Sequence, residues 1–204
     1  NDVFVTVAGN PSRLYVLDTE TRTSSSVDLP LAPGCVSVRP DGQYAAVGHV
    51  GFVSYVNLTT MTLDRTYNVT CDVFDIVLPS NGWVYSMPRA DQWERIRCTR
   101  LSDGAETLHT GNFIRAATKM RLHPSGNYIY GANNGLSPSD IEKYDIRPGT
   151  AQYLYDSPYH GDFAFNRALR ISDAGLQILA RSGNAFRASE VLASDMTFYG
   201  ALSN

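Results

Sequence analysis

Apolar residues in this chain fall in short, strand-sized runs divided by turn-forming residues, and one phrase recurs: apolar strand, a Pro/Ser/Asp/Gly turn, then a second strand rich in Tyr, Val and Ala. It stands at Val36-Ser37-Val38-Arg39-Pro40-Asp41-Gly42-Gln43-Tyr44 and again at Ile76 to Tyr85, Met120 to Tyr128 and Leu169 to Gln177. The turn glycines Gly42, Gly82, Gly126 and Gly175 are 40, 44 and 49 residues apart. A period of this length marks an array of β-meanders, each of one repeat.

Each repeat reads as four short strands. In the clearest unit these are Lys119 to His123, Asn127 to Ala132, Ile141 to Ile146 and Ala151 to Tyr155; an earlier unit gives Cys35 to Arg39, Tyr44 to Gly48, Val53 to Leu58 and Leu63 to Tyr67. A first, shorter unit supplies Val3 to Ala8, Leu14 to Asp18 and Ser26 to Leu29, with no inner strand. Pro138 to Tyr144 and Ser189 to Met196 approach helical spacing, yet both coincide with third strands in the repeat register, and the register is preferred. A four-stranded meander cannot cover both of its own faces, so the sheets must stack on one another. The expected fold is all-β: a β-propeller of four-stranded antiparallel blades, about five units at residues 1–34, 35–70, 71–115, 116–165 and 166–204. The units form either a complete five-bladed ring or part of a larger six- to seven-bladed one, and the start in mid-blade favours the second.

Composition narrows the classes. Charged residues make up 18% and hydrophobic residues 43% of the 204, as in folded globular chains. With a net charge of −3 the surface offers a phosphate backbone little, so nucleic acid is not an expected partner. No apolar run reaches the ~20 residues of a membrane helix. The cysteines Cys35, Cys71 and Cys98 lack metal or redox spacing; a Cys71–Cys98 bridge is compatible with one repeat, and buried thiols are the preferred reading.

The run Arg121-Leu122-His123-Pro124-Ser125-Gly126-Asn127-Tyr128-Ile129-Tyr130-Gly131-Ala132-Asn133, followed by Lys143-Tyr144-Asp145-Ile146, resembles the YVTN-type propeller repeat, as do Pro40-Asp41-Gly42 and Leu17-Asp18-Thr19-Glu20-Thr21. The resemblance covers nearly the whole chain. It implies the relatives' range of roles: surface-layer proteins, secreted or periplasmic binding proteins, lactonase-like hydrolases and quinoprotein dehydrogenase subunits. No catalytic residue of those enzymes matches a position here.

Candidate binding residues lie in loops expected to converge on one face. The long linker Asp156 to Arg167 carries Tyr159, His160, Asp162 and Arg167, where a histidine two residues from a carboxylate suits a proton shuttle or half a metal site. Met87 to Trp93 carries Arg89, Asp91 and Trp93, the composition of a contact hot spot. Asn133 and Asn134 offer amides beside Gly135, though Asn-Gly is first a turn signal. No catalytic motif, metal ligand set or cofactor site is legible. The expected function is a non-catalytic scaffold presenting a protein- or ligand-binding surface in a secreted or periplasmic setting. The alternatives are the propeller portion of an enzyme, lactonase-like or quinoprotein-type, and a carbohydrate-binding propeller. Expected partners are a protein or a further propeller segment, or a small molecule or glycan.

Overall fold

The computed structural model describes residues 3–133, 139–165 and 168–202, and every regular element among them is a β-strand. No helix there is long and apolar enough to cross a membrane. The chain divides into two compact units, Asn1–Ala90 with Arg97–Thr107 and Asp91–Ile96 with Leu108–Asn204.

In the first unit β1 (Val3–Gly9), β2 (Ser12–Asp18) and β3 (Thr23–Asp28) form a three-stranded meander. A second sheet contains β4 (Cys35–Val38), β5 (Tyr44–Gly48), β6 (Val50–Asn57) and β7 (Thr62–Val77), and continues through β8 (Trp83–Pro88) and β10 (Arg97–Arg100) to β11 (Glu106–Leu108). The 16-residue β7 joins two repeats: its first half pairs with β6, and Val73 to Val77 pair with β8. Sequence periodicity places a linker between these halves; the structure runs them together as one strand.

The strands of β5 show why the runs are continuously apolar. Neighbouring side chains point to opposite faces, and here both faces are covered. Ala45 and Val47 join Leu14, Val27, Leu29 and Val56 in one buried cluster, whereas Ala46 joins Cys35, Val53, Val73, Ile76 and Val84 in another. The tightest point is Gly48, where an added Cβ would lie 2.5 Å from Val73 Cγ1 and 2.6 Å from Cys35 Sγ. Cys35 and Cys98 are buried thiols and Cys71 a half-buried one.

His49 is buried between these strands, its ring stacked on Phe52 at 4.3 Å. Its Nδ1–H donates to the Ala32 carbonyl at 3.2 Å, so Nε2 accepts from the Ser54 hydroxyl at 3.0 Å. Burial holds this imidazole below its ordinary value of 6.5. The unfolded chain therefore takes up a proton at higher pH than the folded one. The His49 contribution is complete above about pH 6.5 and is lost as pH falls through the folded value. Urea midpoints measured from pH 7.5 downward should fall more steeply for the native chain than for His49→Gln; equal slopes would refute this assignment. The difference between the two proteins separates the imidazole from carboxyls titrating in the same range.

In the second unit β9 (Trp93–Glu94) pairs with β12 (Ile114–Arg115). One four-stranded sheet runs β13 (Lys119–Leu122), β14 (Tyr128–Ala132), β15 (Ile141–Asp145) and β16 (Gln152–Asp156). Another runs β17 (Leu169–Ile171), β18 (Gln177–Ala180), β19 (Asn184–Arg187) and β20 (Phe198–Ala201). Tyr128, Tyr130, Ala132 and Ile141 pack with Leu169, Ile178, Phe186 and Met196 in a core between these two sheets.

One expectation needs correction. Ser189 to Met196 is a turn, not a third strand; that strand is β19. The Asp195 carboxylate folds the segment back by accepting the Ser189 and Met196 amides at 2.8 and 3.1 Å. Between β9 and β10 the chain leaves strand geometry at Arg95–Ile96. There the Ile96 amide donates to His109 Nδ1 at 2.8 Å, and Arg95 donates to the His109 and Gly111 carbonyls.

Candidate functional site

Two places gather chemistry. In the first unit, register sets Tyr55 opposite Ala46 and Arg65, and Tyr44 opposite Asn57, so Tyr44, Tyr55 and Arg65 share one sheet face. Tyr44 and Tyr55 stack at 4.7 Å with planes 7° apart, and Tyr67 meets Tyr55 edge-on at 6.3 Å. Arg39 lies 4.4 Å over Tyr44 and Arg65 5.8 Å over Tyr67. With Leu101 and Ser102 they border an open cleft of about 420 Å³.

The polar ends of this cleft are tied down. Arg39 is paired with Asp41 at 2.7 Å and donates to Gln43 and Tyr55; Tyr67 donates to the Leu101 carbonyl at 2.7 Å. Burial raises both the Tyr55 and Tyr67 phenols above their ordinary value, keeping them uncharged. What the cleft offers is the half-buried, mutually stacked Tyr44 and Tyr55 rings edged by guanidinium groups, with the Tyr67 ring buried beside them.

The second place surrounds the start of β15. Asp140 Oδ1 accepts the Ile141 and Ser157 amides at 2.9 and 3.0 Å and the Ser157 hydroxyl, while Oδ2 lies 3.0 Å from His160 Nδ1. Glu142, two residues on along the same face, is buried and receives the Tyr144 hydroxyl at 3.3 Å. Burial pushes its carboxyl up to about 8, with Asp140 and Asp156 adding to the rise, so Glu142 is largely protonated at neutral pH. Asp140 is also raised, chiefly by burial.

On the opposite face of β15 Lys143 is buried. Its Nζ donates to Asp195 at 2.6 Å, to the Ser189 carbonyl at 2.7 Å and to Tyr155 at 3.3 Å, and the Tyr130 and Tyr155 hydroxyls also donate to Asp195. Burial, with the Asp195 charge, pushes both phenols well up. A cleft of about 250 Å³ borders Lys143, Tyr128, Tyr130 and His123.

No protein-family model matches the chain, and no curated protein matches it in sequence. Solved structures do. The chain is similar to hydrazine synthase of Kuenenia stuttgartiensis with TM-score 0.66 and 16% identity, over 90% of this chain and 54% of that one. It is similar to the Cps50 (Swd1) β-propeller domain of Myceliophteria thermophila with TM-score 0.69 and 12% identity, over 100% and 74%. A functionally unknown protein of Desulfotomaculum acetoxidans DSM 771 gives TM-score 0.73 and 16% identity, over 96% and 65%. The fold is a β-propeller. At such identities the likeness carries the fold alone, and this chain spans about half to three quarters of the lengths it matches.

Against this propeller frame the sequence-chosen residues separate. His160 does reach a carboxylate, but it is Asp140 rather than Asp162, which is exposed. Tyr159 packs edge-on to Phe163 at 4.8 Å and accepts the Phe198 amide at 2.9 Å, so it anchors the linker. Arg89 is paired with Asp72 at 2.9 Å and lies over Phe74. Asp91 is an exposed turn residue with φ +72°, and Trp93 is half exposed where it opens β9. Asn133 is buried next to Asp140. Asn134 and Arg167 lie outside the described residues. Asp140, Glu142 and Asp156 do not stand out from the sequence; the available signal is Asp140 and Glu142 at alternate positions running into β15, whereas Asp156 comes from β16.

Proposed function

We propose that the chain is a non-catalytic binding propeller whose recognition surface is the Arg39–Tyr44–Tyr55–Tyr67 cleft, and that its occupant is an extended, proline-containing segment of a protein partner. The observation that supports this reading is the stacked Tyr44–Tyr55 pair with Tyr67 edge-on beside it, beneath the Arg39 guanidinium. Extended proline-rich segments dock on aromatic-lined grooves and bring little ordering cost of their own. The hydrogen bonds that fix Arg39, Tyr55 and Tyr67 reduce the corresponding cost on this side.

Titration of the isotope-labelled protein with a proline-rich decapeptide, followed by amide NMR, should move the Tyr44, Tyr55 and Tyr67 signals saturably. Tyr55→Ala removes the central ring, and a hot-spot loss of about 2 kcal/mol corresponds to roughly 30-fold weaker binding. Unmoved signals, or shifts equal to those from a proline-free control peptide, would refute the reading.

A second reading, the propeller portion of an enzyme, is favoured by the grouping of Asp140, Glu142, Asp156 and His160. A buried carboxyl pushed up to about 8 with other carboxylates near it suits proton transfer.

A further inference from the structure

Among the four histidines, three are committed to holding the fold. His49 bridges Ala32 and Ser54, His109 bridges Ile96 and Asn112, and His123 donates to the Gly175 carbonyl while accepting from Ser125. His160 differs: its side chain is 61% exposed, and its Nδ1 faces a carboxylate that is nearly buried. Asp140, Asp156 and His160 each bring one ligand-type atom to within 4.8 Å of the others.

A separate observation concerns Asn133. This residue is buried, and its Oδ1 has no hydrogen-bond partner among the described residues. Its amide donates to the Asp140 carbonyl, and the β14–β15 register continues through Ala132↔Ile141 to set Asn133 directly opposite Asp140. Cross-strand partners project from the same face with Cβ atoms about 5 Å apart. Glu142↔Asp156 in the next pairing brings Asp156 to that face as well. A buried oxygen with no donor is costly. The Asp140 and Asp156 carboxylates share that face, and a cation held by them would also satisfy the Asn133 oxygen.

The geometry points to a divalent transition-metal site at the start of β15, in which Asp140 Oδ2, the Asp156 carboxylate, His160 Nδ1 and Asn133 Oδ1 hold one ion of the manganese–zinc class. Two carboxylates balance the charge of a divalent ion. Oxygen donors with a single imidazole suit Mn²⁺ or Zn²⁺. Ca²⁺ requires six to eight oxygens and fits poorly. The three donors on Asp140 Oδ1 orient the carboxylate so that its other oxygen faces His160, the support that buried metal ligands generally receive. Exposed Asp156 and His160 leave a route for entry.

The full chain, stripped with chelator and dialysed separately against Zn²⁺, Mn²⁺ and Ca²⁺, is the test. Elemental analysis should find one Zn²⁺ or Mn²⁺ per chain, with a raised melting temperature and much weaker Ca²⁺ retention. His160→Ala and Asp156→Asn change exposed groups, so they should melt like the stripped native protein while binding the ion at least about tenfold more weakly. Asn133→Ala should weaken binding in the same direction. No retained Zn²⁺ or Mn²⁺, equal retention by native protein and His160→Ala, or Ca²⁺ bound as tightly as Zn²⁺ would each overturn the proposal. Peptide binding at the Tyr44–Tyr55 cleft is read separately, so either result leaves the other intact.

Discussion

Replacing Lys143 with methionine is expected to destabilise the second unit by about 3–5 kcal/mol, the usual cost of removing one partner from a buried ion pair. Lys143 and Asp195 have side-chain exposures of 1% and 0%, so losing the ammonium leaves the carboxylate shielded from bulk solvent. Methionine keeps much of the stem packing, including contact with Tyr128 and Tyr130, whose rings lie 4.5 and 5.1 Å from Nζ. The loss therefore reports the uncompensated carboxylate rather than a cavity. Asp195 would retain the Tyr130 and Tyr155 hydroxyls and the Ser189 and Met196 amides as donors but no countercharge. Adding Asp195→Asn should return part of the stability, making the double variant less damaged than the sum of the singles. Urea denaturation of the three variants decides it. Strict additivity, or a Lys143→Met cost below about 1 kcal/mol, would show that this pair contributes little.

Phe186→Ala should cost a comparable amount, about 3–5 kcal/mol. Its ring is wholly buried at the centre of an aromatic cluster, with centroids of Phe163, Phe165, Phe198 and Tyr159 at 5.2, 5.5, 5.9 and 6.1 Å. Rings in such edge-on arrangements add about 0.5–1.5 kcal/mol beyond area burial, and the cluster cannot collapse into the vacated space without losing those geometries. Phe186→Leu fills part of the space and should cost clearly less. The same experiment carries a functional readout. Tyr159 rests on Phe163 and Phe186 immediately before His160, so Phe186→Ala should also weaken ion retention at the Asp140 site. Unchanged denaturation midpoints for Phe186→Ala would mean that the cluster does not hold this sheet pair together.

The strands were legible because local pattern and tertiary demand agree in them. Tyr128–Ala132 is buried throughout, and its run of apolar and aromatic residues announces it; Ile141–Asp145 is also buried throughout, although Glu142, Lys143 and Asp145 carry ionisable groups there. Ser189 to Met196 deceived because its turn depends on Asp195, whose charge partner Lys143 is 52 residues away. The break at Ile96 likewise depends on His109, 13 residues further on. The cleft tyrosines each look like ordinary strand residues; only the pairing of β5, β6 and β7 brings their faces together. The Asp140 grouping is half visible in the sequence: His160 stands out, but the carboxylate it meets is Asp140, just ahead of β15, and not Asp162, two residues on.

Uninterrupted β7 bears on how this part of the chain opens and how its sequence can change. Where repeats meet through a loop, one can fray while its neighbour stays closed, and a copy can be gained or lost at the joint. Thr62–Val77 offers no such joint, because its amides bond to β6 at one end and β8 at the other. Deuterium uptake in β6 and β8 should then rise together as one cooperative block. Insertions inside β7 should be rejected where those in the Gly104 turn are tolerated.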